Sequence, residues 1–196
     1  PGLFGGAIGL AVPRTFLDVS AIRPIPDHQE VLVDADADQS VIVELLERDD
    51  DRADDQVVAE CIFREYMESN NATECEVISS RRLKDEEAPL LMADPPCPKS
   101  WISLHLLTGS QSVAKFKEEF RNRVLLHIFV ARLPNVHAEL VIVFNQPVQL
   151  DAMSSSAQVA HVQGSFDDGQ QLMQDMVRTL EVKDWTLFGG LSPDRA

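Results

Sequence analysis

Residues 124–131 (VLLHIFVA) and 139–144 (ELVIVF) are the two strongest strand signals in the chain, and only a short link, Leu133-Pro134-Asn135-Val136-His137, lies between them. A parallel pair needs a crossover of a dozen or more residues, so these strands must be antiparallel neighbours. The rest of the chain has to build around that hairpin. Residues 30–33, 41–46, 75–80 and 101–108 read as further strands. So does 3–12, where Ile8, Leu10 and Val12 alternate with the small Ala7, Gly9 and Ala11. A helix is expected from Asp54 and Asp55, whose charges suit the positive end of its dipole, to about Ser69, with a stripe of Val58, Cys61, Ile62 and Tyr66. A second runs from Asp168 to about Val182 with Leu172, Met173, Met176, Val177 and Leu180 on one face. Two shorter helices are also expected. One is capped by Asp18 and stopped after Arg23 by Pro24; the other opens at Ser112 with Val113, Phe116 and Phe120 as its apolar face. Few βαβ units appear, which points to an α+β fold: a mostly antiparallel sheet covered by helices. No internal repeat or domain boundary is visible.

The length of 196 residues is enough for a substantial core, and 44% apolar with 25% charged residues excludes wholesale disorder. No run of 18 apolar residues marks a membrane span, and no signal-like start is visible. With a net charge of −15 and a pI near 4.6, nucleic acid is not expected as the main ligand, because phosphate binding needs a basic face. The charge is concentrated: residues 34–98 carry 19 acidic and 6 basic groups, while 99–150 carry 6 basic against 3 acidic. Such a stretch steers encounter with a basic partner, although the run 49–55 (DDDRADD) also reads as a solvated acidic loop. Three widely spaced cysteines, Cys61, Cys75 and Cys97, suggest reduced thiols in a nuclear or cytosolic setting.

The motifs for catalysis and metal binding fail on inspection. Asp34, Asp36 and Asp38 open like a calcium loop, but its sixth position is Gln39 instead of glycine and its twelfth is Leu45 instead of glutamate. The five histidines are scattered, and His127, inside an apolar run, reads as a core residue. Gly5, Gly6 and Gly9 lack phosphate-loop spacing and suit close backbone packing instead. No nucleophile elbow or activated cysteine exists, so no catalytic residue, metal or cofactor is expected. What remains is Glu44, which interrupts an otherwise apolar 41–46. A charge there is costly unless an internal Arg or Lys pairs with it or it lines a wet cavity. In a strand, Glu44 and Glu47 face opposite sides; in a helical turn they share one face. Either geometry leaves Glu47 accessible.

Several segments resemble one family across nearly the whole chain. They are Leu3-Phe4-Gly5-Gly6-Ala7, residues 16–31 (FLDVSAIRPIPDHQEV) and residues 39–47 (QSVIVELLE). Later come Gln111-Ser112-Val113-Ala114-Lys115-Phe116, Arg132-Leu133-Pro134, Val143-Phe144-Asn145-Gln146-Pro147 and Leu187-Phe188-Gly189. Together they resemble the Mog family, the Ran guanine nucleotide release factors of nuclear transport. The resemblance implies one Ran-binding domain over residues 1–190 with a tail at 191–196. It implies an α/β sandwich similar to PsbP proteins, its central, largely antiparallel sheet flanked by helices on both faces. It also implies a protein of nuclear transport that binds the small GTPase Ran and promotes nucleotide release without catalytic chemistry of its own. With no ligand cluster and with the apolar runs 124–131 and 139–144, a monomer is expected, in the nucleus and in the cytoplasm as well. The residues it points to for partner binding are Glu44 and Glu47, with Asp27 and Glu30 as neighbours. Two alternatives stand beside it: an adaptor that binds Ran without exchange, and a small-ligand or enzymatic domain using a cleft between sheet and helices.

Overall fold

The computed structural model describes residues 2–20, 22–48, 54–114, 120–160 and 165–189. In chain order its strands are β1 (Gly2–Leu3), β2 (Ile8–Gly9), β3 (Leu17–Asp18), β4 (Gln29–Asp34), β5 (Gln39–Glu47), β6 (Thr73–Arg82), β7 (Ser103–Ala114), β8 (Arg121–Leu133), β9 (Ala138–Gln149) and β10 (Glu181–Val182). The helices are α1 (Asp55–Ser69), α2 (Ser155–Val159) and α3 (Phe166–Thr179). Seven strands form one antiparallel sheet in the order β3-β4-β5-β9-β8-β7-β6, and β1-β2-β10 form a small second sheet. The expected hairpin is its centre: β8 and β9 pair from Arg123↔Gln149 to Leu133↔Ala138.

The central strands read as continuous apolar runs because both faces are covered. On one face α1 sets Val58, Ala59, Ile62 and Phe63 against Leu107, Leu126, Ile128, Val141 and Val143. Gly109 on β7 makes room for this contact, since a Cβ there would overlap the Phe63 ring. On the other face α3 sets Met173, Met176 and Val177 against Phe129, Leu140, Ile142 and Phe144. Leu3, Ile8 and Leu10 join that second core from the start of the chain, and Leu91 and Met92 join it from the loop after β6. Both long helices begin as their sequences dictate. Asp54 caps α1 by accepting the Gln56 N–H, and Ser165 caps α3 by accepting the Asp168 N–H.

Four local expectations are corrected. The strand at 3–12 is broken into β1 and β2 by a 3-10 turn, Phe4–Gly6, in which Phe4, Gly5 and Gly6 all take positive φ. The glycines supply backbone that a strand cannot use. Asp18 caps a turn rather than a helix: its carboxylate accepts the Ser20 N–H at 2.8 Å, and the turn closes through Val19 within four residues. No helix opens at Ser112. β7 runs on to Ala114 because Ser112, Val113 and Ala114 pair with Arg123, Asn122 and Arg121, and ladder bonds outweigh the local helical spacing. Phe116 lies outside the described residues, and Phe120 is exposed. Finally, the α1 stripe turns by one position, burying Ala59 and Phe63 and leaving Cys61 half-buried.

His127 is the core histidine its neighbours suggested, fully buried on the α3 face. Gln146 donates its amide N–H to the Ser165 carbonyl at 3.1 Å, which turns its oxygen toward His127 Nε2 at 3.2 Å. Nε2 therefore carries the proton, and Nδ1 accepts from the Thr108 hydroxyl at 3.1 Å. Gly169 of α3 lies directly over this bond, where a Cβ would overlap both Gln146 Oε1 and His127 Nε2. Burial pushes the imidazole pKa down to about 4, against a small opposing effect of Gln146. Between about pH 4 and 6.5 the unfolded chain binds the extra proton and the folded one does not, so this contribution is complete above pH 6.5 and lost as pH falls toward 4. By linkage it is worth about 3 kcal/mol at most. Melting temperature is expected to fall over that interval, and His127→Gln to flatten that part of the profile.

Candidate functional site: an acidic end of the sheet

The four acidic residues singled out in the sequence all belong to the β4–β5 hairpin and the turn leading into it, but they do not share a surface. β4 and β5 pair from Gln29↔Glu44 to Asp34↔Gln39, and β5 continues against β9 as far as Glu47↔Ala138. Alternation sends Ile42, Glu44 and Leu46 to the α1 face, and Val43, Leu45 and Glu47 to the other. Glu47 ends its strand in solvent. Asp27 is exposed in the turn before β4, and that turn is tied to the same end of β5 by the Leu45 N–H, which bonds the His28 carbonyl at 2.9 Å.

Glu44 is buried, with 9% of its surface exposed, and its partners are not the Arg or Lys that a buried charge invites. Gln29 donates its side-chain amide to one carboxylate oxygen, and the Tyr66 hydroxyl donates to the other at 3.0 Å. Burial, followed by the Glu44 charge, pushes the Tyr66 hydroxyl above its ordinary range, so it remains a donor. Glu30 lies on the α3 face and does local work: it accepts the Phe4 N–H at 2.6 Å, holding the strained glycine turn against the sheet. Sequence reasoning named all four carboxylates but missed Tyr66 and Gln29. The available signal was that Tyr66 is the only tyrosine in the chain, four residues after Ile62 on the buried side of a helix.

Behind this end, Arg132 bonds Glu139 across the β8–β9 pair at 3.1 Å and Asp55 in the first turn of α1 at 3.2 Å. Arg48 lies beside Asp55 and Arg132, its N–H on the His137 carbonyl at 2.9 Å.

Other chemistry is sparse. Ser80 Oγ and His105 Nε2 are 2.8 Å apart, but His105 Nδ1 is buried without a hydrogen-bond partner, so nothing orients the ring as a base. Burial lowers the His105 pKa. Asp34 spends its carboxylate on the Asp36 and Ala37 N–H groups of the β4–β5 turn. No group of three or more His, Cys, Asp or Glu among the described residues could hold a metal ion. Beyond the C-terminus of α1, an open cleft of about 680 Å³ is lined by the amides of Gln39, Asn70, Gln111, Asn122 and Asn145 over a floor of sheet residues such as Ile42.

The fold has close counterparts. The crystal structure of the Saccharomyces cerevisiae Ran-binding protein Mog1p superposes with a TM-score of 0.68 at 25% identity, covering 96% of each chain. An antiparallel sheet with a long helix on each face, superposing in this way, makes the chain a Mog1-type α+β sandwich. Residues 1–147 match the family model described as Ran-interacting Mog1 protein, and the chain belongs to that family. The probable Ran guanine nucleotide release factor of Dictyostelium discoideum is 34% identical over 189 residues, covering 95% of this chain and 94% of that protein. The Ran guanine nucleotide release factor of Danio rerio is 34% identical over 190 residues, covering 95% and 98%.

Proposed function

We propose that this protein binds the GTPase Ran and promotes release of its guanine nucleotide in support of nuclear import. It acts as a monomeric domain of residues 1–190 in the nucleus and cytoplasm, without a reaction centre of its own. Relatives covering nearly the whole chain carry the release-factor name. The observation that carries the site is the placement of Glu47 and Asp27, two exposed carboxylates, at one end of the β4–β5 hairpin. Glu44 and Glu30 stand behind them, one on each face. A release factor binds the nucleotide-free GTPase more tightly than the loaded one, and by linkage it then weakens nucleotide affinity. Fixed carboxylates suit that role, since they repel phosphate and attract the cationic groups that hold it.

The test is release of a fluorescent guanine nucleotide from Ran. Addition of this protein is expected to accelerate it; tight binding without acceleration would reduce the reading to an adaptor. Association is also expected to slow with added salt, because the acidic segment acts over a Debye length of about 8–10 Å. Association rates unchanged between low and high salt would show that the acidity serves solubility alone. The amide-lined cleft favours one rival, a small-ligand carrier, which a tightly held molecule in native mass spectra of the purified protein would support.

A further inference from the structure

We infer that Glu44 serves Ran binding as a positioning residue, held by Tyr66 and Gln29, and that it acts by fixing the turn that presents Asp27, at the Glu47 end of β5, to a cationic patch of the partner. The inference rests on the Ran-binding reading above and assigns roles within it. Glu44 has little surface to offer a partner. It is 9% exposed, and its two oxygens are taken by Gln29 and by Tyr66 of α1. A carboxylate buried against neutral donors is costly relative to an apolar side chain, so its place in an otherwise apolar strand needs an organising role.

The geometry supplies that role. Gln29 opens β4, and its backbone N–H takes the Pro26 carbonyl at 2.9 Å. Its side chain is clamped to Glu44, while the next residue of β5, Leu45, takes the His28 carbonyl at 2.9 Å. The turn carrying Asp27 is thus fastened on both sides of Glu44. The Leu45–His28 bond lies one position beyond the Gln29↔Glu44 pair and holds the Asp27 turn to the end of β5, where Glu47 leaves the sheet. A Lys- or Arg-rich partner surface is the complement of exposed carboxylates presented at that end. Tyr66 extends the arrangement to α1, which packs on β6, β7 and β8.

Ran affinity measured across a set of variants tests this. Tyr66→Phe and Glu44→Gln are each expected to weaken binding about three- to tenfold, with a wild-type dependence on salt. Asp27→Asn and Glu47→Gln are expected to weaken binding and to make the salt dependence shallower. The decisive measurement is the double variant: once Asp27 is Asn, Tyr66→Phe should cost little further affinity, because the turn it positions has lost its charge. General destabilisation would leave the Tyr66→Phe cost intact in both backgrounds. A Glu44→Gln variant with the shallow salt dependence of Glu47→Gln would overturn the inference by making Glu44 a contact. So would undiminished binding by Tyr66→Phe, or a full Tyr66→Phe cost in the Asp27→Asn background. Failure of the wild-type protein to bind Ran would instead defeat the functional reading. The positioning contact is then judged on the protein alone, by whether Tyr66→Phe shifts the backbone amide resonances of Asp27 and His28; unshifted resonances would refute it.

Discussion

Glu47→Lys is expected to lower affinity for Ran by one to three orders of magnitude and to leave the fold intact. The two halves of that expectation have separate causes. Glu47 is exposed at the last position of β5, and the residue opposite it is Ala138, so no charged cross-strand neighbour is lost. Substitutions at such sites fall within roughly ±0.5 kcal/mol of wild type, which for a domain of this size is about 1–2 °C in melting temperature. Binding responds differently. Removing a charge that becomes desolvated against a cation costs about 2–5 kcal/mol, and each 1.4 kcal/mol is tenfold in affinity. Reversal adds repulsion against the same patch. Calorimetric titration of Ran with the variant checks the first half and thermal unfolding the second. A well-folded variant with wild-type affinity would remove Glu47 from the docking surface.

Arg132→Ala is the counterpart, expected to cost about 3–5 kcal/mol of stability. Arg132 and Glu139 are both about 95% buried, and the guanidinium also reaches Asp55 at the start of α1. Truncation leaves Glu139 buried without that cation and unfastens the first turn of α1 from the β8–β9 hairpin. A fall of roughly 6–20 °C in melting temperature is expected. Replacing both members, Arg132→Met with Glu139→Leu, should restore much of the loss, because an apolar pair needs no compensation for desolvation. If Arg132→Ala melts within about 2 °C of wild type, the buried cluster does not carry this stability.

The architecture was legible where one signal dominated. Length decided the β8–β9 hairpin: five linking residues admit only one pairing. Charge placement and apolar period together located α1 and α3. The failures share a cause, which is that local chemistry reads only its own neighbours. Ser112 to Ala114 has helical spacing, but its hydrogen bonds lie across the ladder with Arg121, Asn122 and Arg123, ten or so residues downstream. The strand expected through residues 3–12 ignored that two glycines, with Phe4, take positive φ, a turn fixed by the distant Glu30. The acidic end was only half visible. Of the two geometries that the sequence left open for Glu44 and Glu47, the strand holds and sets them on opposite faces, but nothing in residues 41–47 reveals that Tyr66, on a separate helix, donates to Glu44. An Arg or Lys was the obvious partner to seek, and neutral donors took its place.

The two faces of the sheet also differ in how far apart along the chain their components lie. The α1 core is assembled from residues 42–143, mostly consecutive elements. The opposite core needs Leu3 and Val182 together, through β2 paired with both β1 and β10. Closing so long a loop is slow, because its entropy must be spent before the contacts repay it. During synthesis the first face can therefore form while the second still waits for residues past 180. Until they arrive, Phe129, Ile142 and Phe144 have an incomplete cover, and that half of the sheet is the surface a chaperone has reason to guard.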